Sequence, residues 1–181
     1  DELRNVRLYL PGPGRDLPWY EPGWEESFQI QTSFVLPVVE RMMAEKRCDY
    51  LMSELWFTPN YELMPIDVYM VEISPPDEHG FCSFGHMLWN KKSDVKHAKT
   101  VMADVNPRFI RTYGDNFVHV SEIDYFVEHV STGRIPGTRD LRTLDLLARK
   151  TEEPPELKEI AEYVAELIND GDTLQIGVGA A

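Results

Sequence analysis

Cysteine, positive charge and long apolar runs are all scarce in this sequence, and each shortage narrows what the chain does. Two cysteines, Cys48 and Cys82, among 181 residues cannot build a disulfide framework, so a reducing, cytoplasmic setting is expected. Eighteen basic residues face 31 acidic ones, for a net charge of −13. An acidic surface repels a phosphate backbone, which argues against nucleic acid as a partner. The acid is concentrated late in the chain, where residues 151–181 hold eight acids and a single base, Lys158. The longest apolar stretch, Phe34 to Val39, is short and broken by Pro37. That is far below the ~18 residues a membrane helix needs, so no membrane partner is expected. Nothing at the N-terminus reads as a signal peptide, and the chain opens on Asp1, so the ends are expected to be cut points in a longer polypeptide.

What is present is enough for a core: 43% hydrophobic and 11% aromatic residues exclude disorder as a general description. Val6 to Leu10 alternates as a strand does, and Pro11-Gly12-Pro13-Gly14 stops it. Residues 15–31 lack a period and read as a long loop. Pro37 opens a helix through Arg47, with Val38, Val39, Met42 and Met43 on one side as core. Asp49 to Met52 reads as a short strand. Ile66 to Ile73 is the best strand in the chain, β-branched and ended by Pro75-Pro76. A loop over 74–85, a helix over 91–99, and strands over 100–105 and 117–120 follow. Ser121 is expected to cap a helical turn with Asp124 as its acid. A linker falls in 131–155, with one helical stretch near Leu141 to Ala148. Leu157, Ile160, Ala161, Val164, Leu167 and Ile168 recur at helical spacing, and Asp172 to Val178 reads as a strand leading into Gly177-Val178-Gly179. Strands alternating with helices predict an α/β fold with a largely parallel sheet. The domain boundaries expected are 1–150 for one α/β domain and 151–181 for the first helix and strand of a second.

The segment Ser74-Pro75-Pro76-Asp77-Glu78-His79-Gly80-Phe81-Cys82-Ser83-Phe84-Gly85 concentrates the chemistry. It follows the best strand, so it lies at a strand's carboxyl end, where open α/β sheets bind ligands. His79, Cys82 and His86, with Cys48 or His97 as a fourth donor, have ligand-like spacing for a metal module, but structural zinc favours paired motifs and no metal is expected. Ser83 sits in G-x-x-S-x-G, not the G-x-S-x-G of a nucleophile elbow. A binding loop, in which Asp77 and Glu78 fix backbone amides and glycines allow close approach, and a rigid structural turn both remain open on these residues. Gly177 and Gly179 begin a turn of phosphate-binding type, a short signal that a plain βα turn also explains. Lys92, Lys96 and Lys99 with Arg108 and Arg111 read as a solvated basic face. His119 and His129 read as satisfied core or edge histidines.

Several of these segments together resemble the acetyl-CoA hydrolase/transferase family, and its 4-hydroxybutyrate CoA-transferase branch in particular. The likeness is carried by Val71 to Gly85. In the same order follow Val105-Asn106-Pro107, then Arg111-Thr112-Tyr113-Gly114-Asp115-Asn116-Phe117-Val118-His119-Val120-Ser121-Glu122-Ile123-Asp124. Ala44 to Tyr50 resembles the family's helix-to-strand step, and Leu167 to Ala180 the entry to its second half. Residues 86–97 depart from the family's small-residue continuation, and 131–143 look like an insertion.

The resemblance implies a CoA-transferase-type N-terminal domain acting on an acyl-CoA and a small carboxylate. Coenzyme A thioester would be substrate rather than cofactor, and a homo-oligomer is compatible with it. It also implies covalent ping-pong catalysis through a glutamyl thioester, with the nucleophilic glutamate beyond Ala181; residues 1–181 are therefore expected to be inactive alone. Substrate contacts are expected at Asp77, Glu78, His79, Gly80, Ser83, Gln175, Gly177 and Gly179. An acyl-CoA hydrolase, in which water resolves the thioester, and a non-catalytic ligand-binding domain are the alternatives.

Overall fold

Parallel strands need crossovers, and this chain supplies them with loops and short helices. The computed structural model describes residues 3–11, 17–52, 60–130 and 155–175. Its contacts divide the chain into two units, Asp1–Leu141 and Arg142–Ala181.

In the first unit, β1 (Val6–Tyr9), β2 (Phe28–Thr32) and β3 (Cys48–Tyr50) form a parallel sheet in that order. Helix α1 (Pro37–Ala44) crosses from β2 to β3 and begins on its proline, as expected. Val39 and Met42 are wholly buried and pack with Tyr20, Ile30 and Cys48. The stretch read as a loop over 15–31 contains a 3-10 turn at Pro18–Tyr20 and most of β2. The sequence Phe28-Gln29-Ile30-Gln31-Thr32 does alternate, but its polar partners are glutamines and a threonine. Thr32 is fully buried because its hydroxyl donates to Leu10 O at 2.8 Å.

A second parallel sheet holds β4 (Val68–Ile73), β6 (Thr100–Val105) and β8 (Tyr125–Glu128), in the order β4-β6-β8. Its inner face places Val71, Ile73, Val101 and Ala103 in one core with Cys82, Phe84, Val95, Val118 and Ile123. Helix α2 (Lys91–His97) bridges β4 to β6 and contributes Val95 to that core. The loop expected over 74–85 contains a short strand, β5 (Phe81–Ser83), paired antiparallel with β7 (Phe117–His119). A largely parallel α/β architecture is thus what the chain adopts.

The turn after β7 differs from expectation. His119, not Ser121, caps the 3-10 turn Val120–Glu122: Ser121 N–H donates to His119 Nδ1, and Glu122 Oε1 accepts from His119 N at 3.1 Å. An imidazole nitrogen serves as well as a hydroxyl as the cap's acceptor. Asp124 instead reaches across to β6, its Oδ2 accepting from Val101 N at 2.8 Å.

The second unit, taken by itself, contains α3 (Pro155–Glu166), amphipathic as its spacing requires. Its apolar stripe, including Ile160, Tyr163 and Val164, is exposed. Residues 172–175 carry no strand, and the rest of the expected 172–178 strand, like the helical stretch near 141–148, lies outside the described residues. Among the described residues no helix is long and apolar enough to cross a membrane.

Gly85 closes the loop after β5 with φ +74°, where a Cβ would stand 2.3 Å from the Phe109 ring. Gly85→Ala is expected to cost about 3 kcal/mol through left-handed strain plus overpacking. Gly114 has φ +91° with nothing near its would-be Cβ, so Gly114→Ala should cost only about 1 kcal/mol. Thermal melts of the two variants test this, and equal loss at both would contradict the close fit at Gly85.

Candidate functional site

Ser74 follows β4 directly, so the chain leaves the sheet at its carboxyl end and turns through Pro75-Pro76 into Asp77–Phe81. Asp77 closes the turn on itself. Its Oδ1 accepts from His79 N at 3.0 Å and Phe81 N at 2.9 Å, while its backbone N–H donates to Phe81 O and its carbonyl accepts from Gly80 N. Those amides and Arg111 together hold the Asp77 carboxyl below the usual carboxylate range, the Phe81 amide contributing most.

Arg111 clamps the whole segment. Nη1 donates to Ser74 Oγ (2.9 Å), Pro75 O (2.9 Å) and Phe81 O (3.2 Å), and Nη2 donates to Asp77 Oδ2 (3.0 Å) and Phe81 O (3.2 Å). Its guanidinium lies 5.4 Å from the Phe117 ring centroid, so the charge is both hydrogen-bonded and set over an aromatic face. Arg111 is therefore part of the loop and not of the basic face expected with Lys92, Lys96, Lys99 and Arg108. Two of those lysines are paired with acids, Lys92 with Asp115 and Lys99 with Asp67 at 2.7 Å.

With the loop so fixed, the expected contact residues separate by position. Glu78 and His79 stand at the tip, both largely exposed and 3.5 Å apart. Gly80 takes φ +83°, and a Cβ there would lie 2.8 Å from His119 Nε2. The Phe81 ring meets the His119 ring edge-on at 5.1 Å. Ser83 is fully buried, and its Oγ accepts from Gly85 N (3.1 Å) and Thr112 N (3.2 Å). Ser74, also buried, donates to Pro75 O and accepts from Ser83 N at 2.8 Å. Gln175 lies exposed at the end of the second unit's described part, and Gly177 and Gly179 lie outside it.

The metal grouping does not assemble. The Cys82 side chain is wholly buried while the His79 side chain is three-quarters exposed, and His86 meets Phe109 edge-on. Among the described residues no three His, Cys, Asp or Glu side chains converge as ligands. Burial pushes both the Cys82 and Cys48 thiols up, which keeps them protonated and unreactive.

Beside the loop, across the carboxyl ends of β4, β6 and β8, opens a cleft of about 390 Å³ lined by Pro75, Val105, Pro107, Phe126, Val127, Glu128 and His129. Its volume falls within the usual range for small-molecule sites, about 300–1,000 Å³. At its polar end His129 Nδ1 lies 2.9 Å from Asp104 Oδ2. Sequence reasoning took His129 for a satisfied histidine and did not place it in a site. Asp104 sits 25 positions away, and only the β6–β8 register, which pairs Val105 with Glu128, brings them together.

An open parallel sheet with a rigid polar loop and a cleft at its carboxyl end is the arrangement at which α/β sheets commonly bind ligands. Residues 26–132 match the family model for the acetyl-CoA hydrolase/transferase N-terminal domain, and the chain belongs to that family. It is 35% identical, over 98% of its own length, to a 4-hydroxybutyrate coenzyme A transferase from Clostridium kluyveri, of which it covers 39%. It is 28% identical to a succinyl-CoA:acetate/propanoyl-CoA:succinate CoA transferase from Fasciola hepatica, covering 98% of this chain and 35% of that one. The structure of RipA from Yersinia pestis superposes with a TM-score of 0.73 at 26% identity, over 98% of this chain and 41% of that one. The chain thus spans about two fifths of the length of these relatives.

Arg111→Ala is expected to remove the clamp, costing about 2–3 kcal/mol through the loss of its charge-assisted hydrogen bonds. Amide exchange at His79 and Phe81 should quicken by roughly tenfold or more, and Arg111→Lys should restore only part of the protection because an ammonium lacks the planar fork. Because the folded carboxyl of Asp77 sits below its ordinary value of 3.8, its contribution is complete above 3.8 and is lost only as pH falls through the lower folded value. Exchange rates corrected for intrinsic pH dependence, followed from neutrality to acid, check the sign.

Proposed function

We propose that this chain is the loop-bearing N-terminal portion of an acyl-CoA:carboxylate CoA-transferase. The observation that supports this most directly is the Asp77–Phe81 loop, clamped by Arg111 at the carboxyl end of a parallel sheet and lying inside the family match. Glu78 and His79, held at the tip, are the side chains offered to the thioester, and Asp77, Gly80 and Ser83 hold them there. Gln175, Gly177 and Gly179 are proposed, from the sequence alone, as substrate contacts of the second unit by itself.

In the proposed reaction a glutamate carboxylate attacks the thioester carbonyl and expels CoA thiolate, leaving a mixed anhydride. The thiolate attacks the glutamyl carbonyl of that anhydride, releasing the first acid and forming a glutamyl thioester. An incoming carboxylate then repeats the two steps in reverse order and regenerates the glutamate. The attacking glutamate is not among residues 1–181. Coenzyme A is carried as substrate, and no metal or other cofactor enters the reaction.

The chain alone is expected to bind acetyl-CoA yet to form no butyryl-CoA from acetyl-CoA and butyrate, as followed by chromatography of the CoA esters. Joined to a C-terminal portion such as its relatives carry, it should transfer CoA to butyrate faster than it releases free CoA. Free CoA released without dependence on butyrate would instead identify a hydrolase. Transfer by the isolated chain, abolished by substituting a glutamate within it, would show that the nucleophile has been misplaced.

A further inference from the structure

Of the two ring nitrogens of His119, the fold uses one. Ser121 N–H donates to Nδ1 at 3.2 Å, and a backbone N–H only donates, so Nδ1 carries no proton. The Ser121 hydroxyl lies 2.8 Å from the same nitrogen. The neutral ring therefore holds its proton on Nε2, and the cap sets that tautomer. His119 is part-exposed, and no group among the described residues accepts from its Nε2.

The place of that N–H is fixed by the loop. Val120 N donates to Gly80 O at 3.0 Å, which ties the turn after β7 to the loop tip. The Phe81 ring meets the imidazole edge-on at 5.1 Å and sets its orientation. Gly80 comes so near that a Cβ would stand 2.8 Å from Nε2. A side chain at position 80 would cover the donor, whereas glycine leaves it open. The surroundings then choose the kind of acceptor. Glu122 Oε1 sits on the His119 amide at 3.1 Å, Glu78 stands exposed two positions before Gly80, and the Asp77 charge is already paired with Arg111. Acids at this point repel an anionic acceptor, and a neutral carbonyl oxygen meets no such repulsion.

We infer that His119 is a ligand-contacting residue whose Nε2–H donates to a neutral carbonyl oxygen on the arm of a bound acyl-CoA. The inference rests on the CoA-transferase reading and deepens it with a contact from outside the Asp77–Ser83 segment. The arm offers two such oxygens by chemistry, the thioester carbonyl and the amide carbonyls of the pantetheine. Gly80 serves the contact by leaving the donor uncovered, and Ser121 serves it by keeping the proton on Nε2.

Calorimetric titration with CoA, acetyl-CoA and S-ethyl-CoA, a thioether that lacks the acyl carbonyl, tests this on the native chain and on His119→Asn. An asparagine carbonyl still accepts from Ser121 N–H, as Asx turns do, but the side chain is too short to place a donor where Nε2 stands. The substitution is expected to weaken acetyl-CoA roughly 3–10-fold, the range one net hydrogen bond provides. Loss confined to acetyl-CoA identifies the thioester carbonyl as the acceptor, and equal loss for all three ligands identifies a pantetheine amide. Either way, amide exchange at Ser121 and Glu122 should be unchanged in the variant. In native protein with isotope-labelled histidine, the Nε2–H resonance should move downfield and exchange more slowly on saturation with acetyl-CoA. Unchanged affinities in the variant with an unmoved resonance would overturn the contact while leaving the family reading intact. A loss of affinity matched by faster exchange at Ser121 would overturn it too, since that marks a purely structural cap. Failure of all three ligands to bind the native chain would overturn the CoA-transferase reading and this one with it.

Discussion

One guanidinium holds the candidate site in shape. The backbone from Ser74 to Phe81 turns out of the sheet and back within eight residues, and Arg111 adds a charged donor to the Pro75 and Phe81 carbonyls, which the Ser74 hydroxyl and the Asp77 amide also reach. The same group satisfies the Ser74 hydroxyl and the Asp77 carboxylate. Only a planar cation with several N–H groups reaches four acceptors at once, so the position has no near-equivalent among the other residues. The clamp lies on Phe117 of β7, and β7 pairs with β5, so loop, strand pair and arginine form one cooperative piece. Much of the loop's order is therefore owed to residues some thirty positions later in the chain.

That distance explains what the sequence disclosed and what it did not. Elements written in local pattern were legible: β4 in the β-branched run before two prolines, β6 at Thr100–Val105 with the same bounds, α1 from its opening proline, and α3 from its apolar spacing. The parallel architecture and the position of the loop followed from their order. Elements defined by a partner were not. β2 is half polar, and it is a strand because β1 and β3 flank it. β5 is three residues long and depends on β7. β8 ends in Glu128 and has little burial of its own, existing through its register with β6. His119 was legible as a satisfied histidine but not as a helix cap, since its acceptor nitrogen substitutes for the hydroxyl that pattern reading looks for.

The site divided along the same line. The acids, histidine and glycines of the loop were visible as a cluster, and the Asp77 side chain does fix backbone amides as its place in the turn suggested. Arg111 was visible only as one more cation. Its assignment to a basic face failed because a helical wheel or a charge count does not register carbonyls brought near by a turn. Likewise His129 and Asp104 meet only once β6 and β8 are in register, and no spacing rule joins residues on neighbouring parallel strands.

Charge then argues for what kind of group these residues are suited to meet. The chain carries −13 overall, and cations bordering the loop are already engaged: Arg111 within it, Lys92 with Asp115, Lys99 with Asp67, and Lys91 on the Phe84 carbonyl at 3.1 Å. Burial also pushes the Lys91 pKa down. A nucleotide's phosphates gain little here, whereas an uncharged aliphatic chain gains the apolar walls of Pro75, Val105, Pro107 and Phe126. The division of labour follows from desolvation. A surface whose neighbouring cations are already paired and whose walls are apolar favours a neutral aliphatic group over an anionic one.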